Sequence, residues 1–132
     1  MKRSPPLKAR KARPQSASSE AAIVTTALRR AADRLAIPNG VLAKSIGLSE
    51  STISRLRRGA YVLQPGHKSF ELALLVVRLY RSLDSIVAED ATASAWLRSS
   101  NSVLGSEPIE LLQSVSGLVN VIAYLDSRRA VV

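Results

Sequence analysis

Between Asn39 and Gly59 the chain reads NGVLAKSIGLSESTISRLRRG, and its most informative polar side chains crowd into the second half of that stretch. Ser49, Glu50, Ser51, Thr52, Ser54, Arg55 and Arg58 interleave short donors and acceptors with guanidinium forks. Side chains of these types, carried on one helix face, reach base edges and phosphates in a DNA major groove. Lys44, one helix earlier, is placed to meet a phosphate. The competing reading is a polar face that meets only water, as on any small helical unit.

Groups that read DNA must be held rigidly, and the apolar residues around them predict how. Two short helices that cross steeply need a small residue where they approach, which Ala43 supplies, and a residue at ease with positive φ between them, which Gly47 supplies. Leu42, Ile46, Leu48, Ile53 and Leu56 fall where the pair must bury side chains. Ser49 can cap the second helix, and Glu50 suits its first turn. Upstream, a helix is expected from Glu20. Val24, Leu28, Ala31 and Leu35 form its stripe, Arg29 and Asp33 its opposite face, and Pro38-Asn39-Gly40 its end. The arrangement expected over residues 20–68 is a helix-turn-helix DNA-binding domain.

A long helix is expected over 69–89. Leu72, Val76, Leu79 and Leu83 make one stripe, and Phe70, Leu74, Val77 and Tyr80 an adjacent one. A helix apolar over that much surface must be covered on two sides. Either the C-terminal half covers the second stripe, or a second subunit does. His67 precedes this helix in a loop and reads as a surface histidine.

Charge divides the chain in the same way. The net charge is +9 over 132 residues, with a net +6 in residues 1–19, +5 in 20–69 and −2 in 70–132. A basic front suits a polyanion, and a near-neutral back suits protein. Residues 1–19 hold three prolines and a single Leu, so a disordered basic tail is expected, either solvated or tracking phosphates. With no Cys, disulfide frameworks, zinc ribbons and thiol nucleophiles are excluded, and one His leaves little for metal or acid–base chemistry. No apolar run has membrane length, so a soluble, cytoplasmic protein is expected, with no membrane partner.

Residues 90–132 predict short helices broken by turns: Ala91–Arg98, Asn101–Gly105, Pro108–Gln113 and Leu118–Arg129, with Gly105 and Gly117 at boundaries. Pro108 suits a first helical turn. Trp96 is expected in the core rather than at a partner surface, and Asn101 in a turn. Neither a phosphate-binding glycine loop nor a nucleophile elbow is present.

Two strings here resemble the Xre/MbcA/ParS toxin-binding domain. They are Trp96-Leu97-Arg98-Ser99-Ser100-Asn101-x₂-Leu104-Gly105-x₂-Pro108-Ile109-x-Leu111-Leu112 and Gly117-Leu118-x₂-Val121-x₂-Tyr124-Leu125-Asp126-x-Arg128-Arg129. Together with the Xre-like helix-turn-helix before them they cover about residues 20–132. Ser106 departs from the pattern, in which a second glycine often stands there. The resemblance implies an antitoxin of a type II toxin–antitoxin pair. It implies a RES-domain, NAD⁺-destroying toxin as partner, repression of its own operator DNA, and a homodimer. It implies no cofactor, no small-molecule substrate and no enzymatic activity. Toxin contacts are expected from Tyr124, Asp126, Arg128, Arg129 and Val132, the two arginines pairing with carboxylates in the toxin's cleft; the alternative is that they only offset the helix dipole. The fold expected is all-α: a helix-turn-helix domain, a long shared helix, and a small C-terminal helical bundle over 90–132. The alternative function is a stand-alone repressor whose C-terminal domain dimerises or senses a ligand.

Overall fold

In the computed structural model, which describes residues 15–130, the chain is all-α. Among the described residues there are seven helices and no strand: α1 (Gln15–Arg34), α2 (Asn39–Ile46), α3 (Glu50–Arg57), α4 (Lys68–Asp84), α5 (Asp90–Leu97), α6 (Pro108–Leu111) and α7 (Val115–Ala130). Helix α1 begins five residues before Glu20, inside the expected tail, because nothing in the sequence after Pro14 breaks a helix. The rest of that expected tail, residues 1–14, lies outside the described residues.

The stripe Val24, Leu28, Ala31 and Leu35 is buried as its spacing predicts. Helix α1 stops in an unusual way. Ala36 takes a left-handed φ of 54°. Its N–H donates to the Asp33 carbonyl at 3.1 Å, and the Ile37 N–H donates to the Ala32 carbonyl at 2.9 Å. This is the Schellman pattern, in which the two reversed bonds satisfy carbonyls the helix leaves open. Ile37 is buried just beyond it.

Helices α2 and α3 form the helix-turn-helix. Leu42, Ile46, Ile53 and Leu56 are buried, Ala43 sits in the approach, and Leu48 is half-buried against the core. Gly47 has φ 74°, and its N–H and that of Leu48 both return to the Ala43 carbonyl, at 2.8 and 3.0 Å. A side chain at Gly47 would meet no neighbour, so the glycine is required by its backbone angle rather than by space.

Helix α4 is the axis of the molecule. It packs against α1, α2 and α7. The expected cover of its second stripe is corrected: Val77 and Tyr80 lie beside α1, whereas the C-terminal helix α7 meets Leu75, Arg78 and Ser82. One apolar core runs without a break from Val24 to Leu125. Leu74 escapes this cover and remains 40% exposed. The helix ends at Asp84, five residues short of expectation. Ser85 turns its hydroxyl back onto the Ser82 carbonyl at 2.7 Å, and the Ile86 and Val87 N–H groups both fall back on the Leu83 carbonyl. A serine that bonds its own helix backbone competes with the next helical turn.

Two further expectations are corrected. Asn101–Gly105 is a turn rather than a helix, because the Asn101 side chain takes the amides a helix would use. Gly117 is no boundary. It lies in the first turn of α7, buried, where a Cβ would overlap the Leu111 carbonyl. Glycine there lets α7 pack directly onto the end of α6, a demand of close approach that a one-dimensional reading takes for a turn.

Candidate DNA interface and partner surface

Helix α3 presents the face its sequence predicts. Ser49 is the N-cap, and its Oγ accepts from the Thr52 N–H at 3.1 Å. The same hydroxyl donates to Thr52 Oγ1 at 2.9 Å and lies 3.2 Å from Ser51 Oγ, so three hydroxyls cluster at a positive helix end. Arg55 is exposed and bent along the helix, 3.4 Å from Thr52 Oγ1, with its guanidinium 6.0 Å from the centre of the Tyr61 ring. Arg58 donates to Ser54 Oγ at 2.7 Å. Contacts with the Thr52 and Ser54 hydroxyls and the Tyr61 ring hold both forks along the helix, which lowers the ordering cost of engaging an anion. Lys44 is exposed in the last turn of α2.

Glu50 is placed differently from its neighbours. Its carboxylate lies against Gly40, in the first turn of α2, within about 4 Å of where a Gly40 Cβ would stand. That turn has no side-chain cap, since its N-cap residue is Pro38, and a carboxylate beside it is favourable. Glu50 therefore serves α2, and removing an acid from the outer face leaves that face more cationic.

Arg57 is a residue the sequence reading passed over. Its guanidinium donates to the Ile37 carbonyl and Asn39 Oδ1, each at 2.8 Å, and pairs with Asp33 at 3.1 Å. It fastens α3 to the α1–α2 turn. The available signal was its spacing: Arg57 follows Ile53 by four, which puts it beside the buried stripe rather than on the outer face.

The C-terminal unit is fastened to this one by two polar contacts that no periodicity reveals. Arg98 donates to the carbonyls of Leu35 and Ala36, closing the C-terminal end of α1. Ser45, 2% exposed, donates toward the Leu112 carbonyl at 2.8 Å. A third link is mostly exposed: Arg34 donates to the Tyr80 hydroxyl, which donates to Asp90 Oδ1 at 3.1 Å.

Around residues 101–106 the turn is built by Asn101. Its Oδ1 accepts from the Val103 and Leu104 amides, both at 3.0 Å, and its backbone pairs with Ser106 and Gly105. Ser106 keeps an ordinary negative φ, so the turn does not require a second glycine there. Pro108 opens α6 and is buried. Trp96, expected in the core, is only half-buried; the buried anchor is its neighbour Leu97. Trp96 instead stacks on Tyr124, ring centres 6.2 Å apart and planes 13° from parallel. The two rings meet at the edge of the core, each with part of its surface open.

On α7, Asp126 faces inward. It accepts from Ser82 Oγ at 3.0 Å and Arg78 at 2.6 Å, and more loosely from Arg129 at 3.4 Å. The Ser82 hydroxyl first, then Arg78, hold its carboxyl below the usual aspartate range against the opposing effect of desolvation. Asp126 is thus a tether between α7 and α4. Arg129 shares that tether. Arg128 is exposed and forms no ion pair with the described residues. Val132 lies outside the described residues.

These features define a helix-turn-helix carrying a cationic outer face, joined through one core to a small helical module with an open aromatic and cationic edge. Residues 14–78 match the antitoxin Xre-like helix-turn-helix domain, and residues 82–130 match the antitoxin Xre/MbcA/ParS C-terminal toxin-binding domain. The chain belongs to the Xre-type antitoxins, a family of binding proteins rather than enzymes, with DNA and a cognate toxin as the partners its two domains imply. No curated protein matches the chain. Among the described residues no helix is long and apolar enough to cross a membrane.

Proposed function

We propose that this antitoxin neutralises a RES-domain toxin that degrades NAD⁺, covering the toxin's active site with residues 90–132, and represses its own operon through residues 20–68 as a homodimer. Residues 69–89 join the two activities. On the DNA side, Ser49, Ser51, Thr52 and Lys44 meet phosphates, and Ser54, Arg55 and Arg58 reach into the major groove.

One observation carries the toxin side. The last described turn of α7 stays out of the core: Ser127, Arg128 and Arg129 are exposed, and Arg128 forms no ion pair with the described residues, whereas Leu125 and Asp126 hold the preceding turn to the body. A rigid helix end with a spare guanidinium fits a cleft that handles a dinucleotide, where it can pair bidentately with carboxylates. The Trp96–Tyr124 pair would then flank the entry as the apolar anchor.

Deleting Arg128–Val132 tests this reading. Co-expression with the neighbouring toxin gene should then deplete NAD⁺ and arrest growth, while the helical circular dichroism spectrum and the operator gel shift persist. A truncated protein that still neutralises would place inhibition elsewhere on the domain. Failure to co-purify with any such toxin would favour a stand-alone repressor.

A further inference from the structure

Helices α1 and α4 leave one face uncovered. Ile23 is 66% and Leu74 40% exposed there, across a groove of roughly 290 Å³ floored by Ala27 and Val77. The charges along this face are sorted. On α1, Glu20, Ile23, Ala27 and Arg30 fall at i, i+3, i+7 and i+10, so they share a stripe. On α4, Glu71, Leu74, Arg78 and Arg81 repeat the same order at i, i+3, i+7 and i+10. The two helices run the same way along the groove, because Ile23 meets Leu74 at one end and Arg34 meets Tyr80 at the other. The face therefore has an acidic end, an apolar middle and a basic end. Glu20, Arg30, Glu71 and Arg81 are all exposed and make no ion pair with the described residues.

We infer that this face binds a second copy of the chain in an antiparallel, two-fold symmetric contact. A two-fold axis midway between Glu20 and Arg30 on α1 and between Glu71 and Arg81 on α4, beside Ala27 and Val77, sets each copy's acidic end on the other's basic end, and seats the projecting Ile23 in the partner's groove. Self-complementarity of this kind is what an isologous interface demands, since one patch must satisfy itself. A purely acidic or purely basic partner would leave one end of the face opposed by like charge. The helices are about 25–30 Å long and the pair about 20 Å wide, so the contact buries on the order of 1,000 Å² in total, enough for a specific interface. The inference rests on the homodimer reading above and assigns its surface.

Charge reversal tests it on the full chain. Sedimentation equilibrium should show a dimer for the parent protein. Two double variants, E20R/E71R and R30E/R81E, should each dimerise about tenfold or more weakly. Mixed in equal amounts they should recover a heterodimer, because one variant then offers two basic ends and the other two acidic ends. I23E/L74E should be monomeric with unchanged helical content. Double variants that remain dimeric, or a mixture that fails to associate, overturn this surface and leave the homodimer reading standing. A monomeric parent protein overturns both, and leaves neutralisation of the toxin to be judged by the truncation.

Discussion

Ser45 Oγ lies 2.8 Å from the carbonyl oxygen of Leu112, a residue 67 positions later in the chain, and 2.9 Å from that of Val41. A hydroxyl has one proton, so Ser45 shares it between its own helix and the C-terminal unit. Substituting Ser45→Ala removes the only side-chain hydrogen bond described for the Leu112 carbonyl. The expected loss is about 1–2 kcal/mol, read as a lower urea midpoint with an unchanged slope. A change of slope would mean that the two units had come apart.

Ala36 offers the opposite sign. A left-handed alanine carries a cost of about 1–2 kcal/mol that glycine does not, partly offset by glycine's greater freedom in the unfolded chain. Ala36→Gly should therefore stabilise the protein by roughly 0.5–1 kcal/mol, raising Tm by a few degrees. Arg98 binds the carbonyl of this residue, not its side chain, so the clamp survives the change.

Asp126 sets a pH dependence. Its folded carboxyl titrates below the ordinary aspartate value, so the unfolded chain takes up the proton first. The resulting stability is fully present above the unfolded pKa of about 3.9 and is lost as pH falls through the lower folded value. Asp126→Asn should be less stable than the parent at pH 7, and the gap should close in acid. Parallel thermal melts from pH 7 down to the acid limit of folding measure it; a gap that is constant with pH would mean the tether is not ionic.

Arg55 is exposed, and among the described residues Thr52 and the Tyr61 ring anchor it. Arg55→Ala should weaken binding to the operator by about 1–3 kcal/mol and binding to random DNA much less, measured by competition gel shift. Equal weakening on both would make Arg55 a phosphate contact.

The helix-turn-helix was legible because each requirement falls on a local residue type: Ala43 small, Gly47 left-handed, Ser49 capping, Leu42 to Leu56 apolar. The two stripes of α4 were equally plain, though not which neighbour would cover them. What escaped was long-range and polar. Arg57, Arg98 and Ser45 satisfy carbonyls that exist only once the helices have met, and no period marks them. Helical spacing predicts that Trp96 packs inward, and it does lie against the core, but only half-buried, since Leu97 beside it holds the fully buried position. Gly117 misled because glycine serves close packing as well as turns.

The unbroken core around α4 has a consequence for how this antitoxin disappears. Helix α4 packs against both halves within one apolar cluster, so opening of either half is expected to unfold the other and leave the whole chain open to proteolysis. Melts followed at the two ends should then coincide in a single cooperative transition.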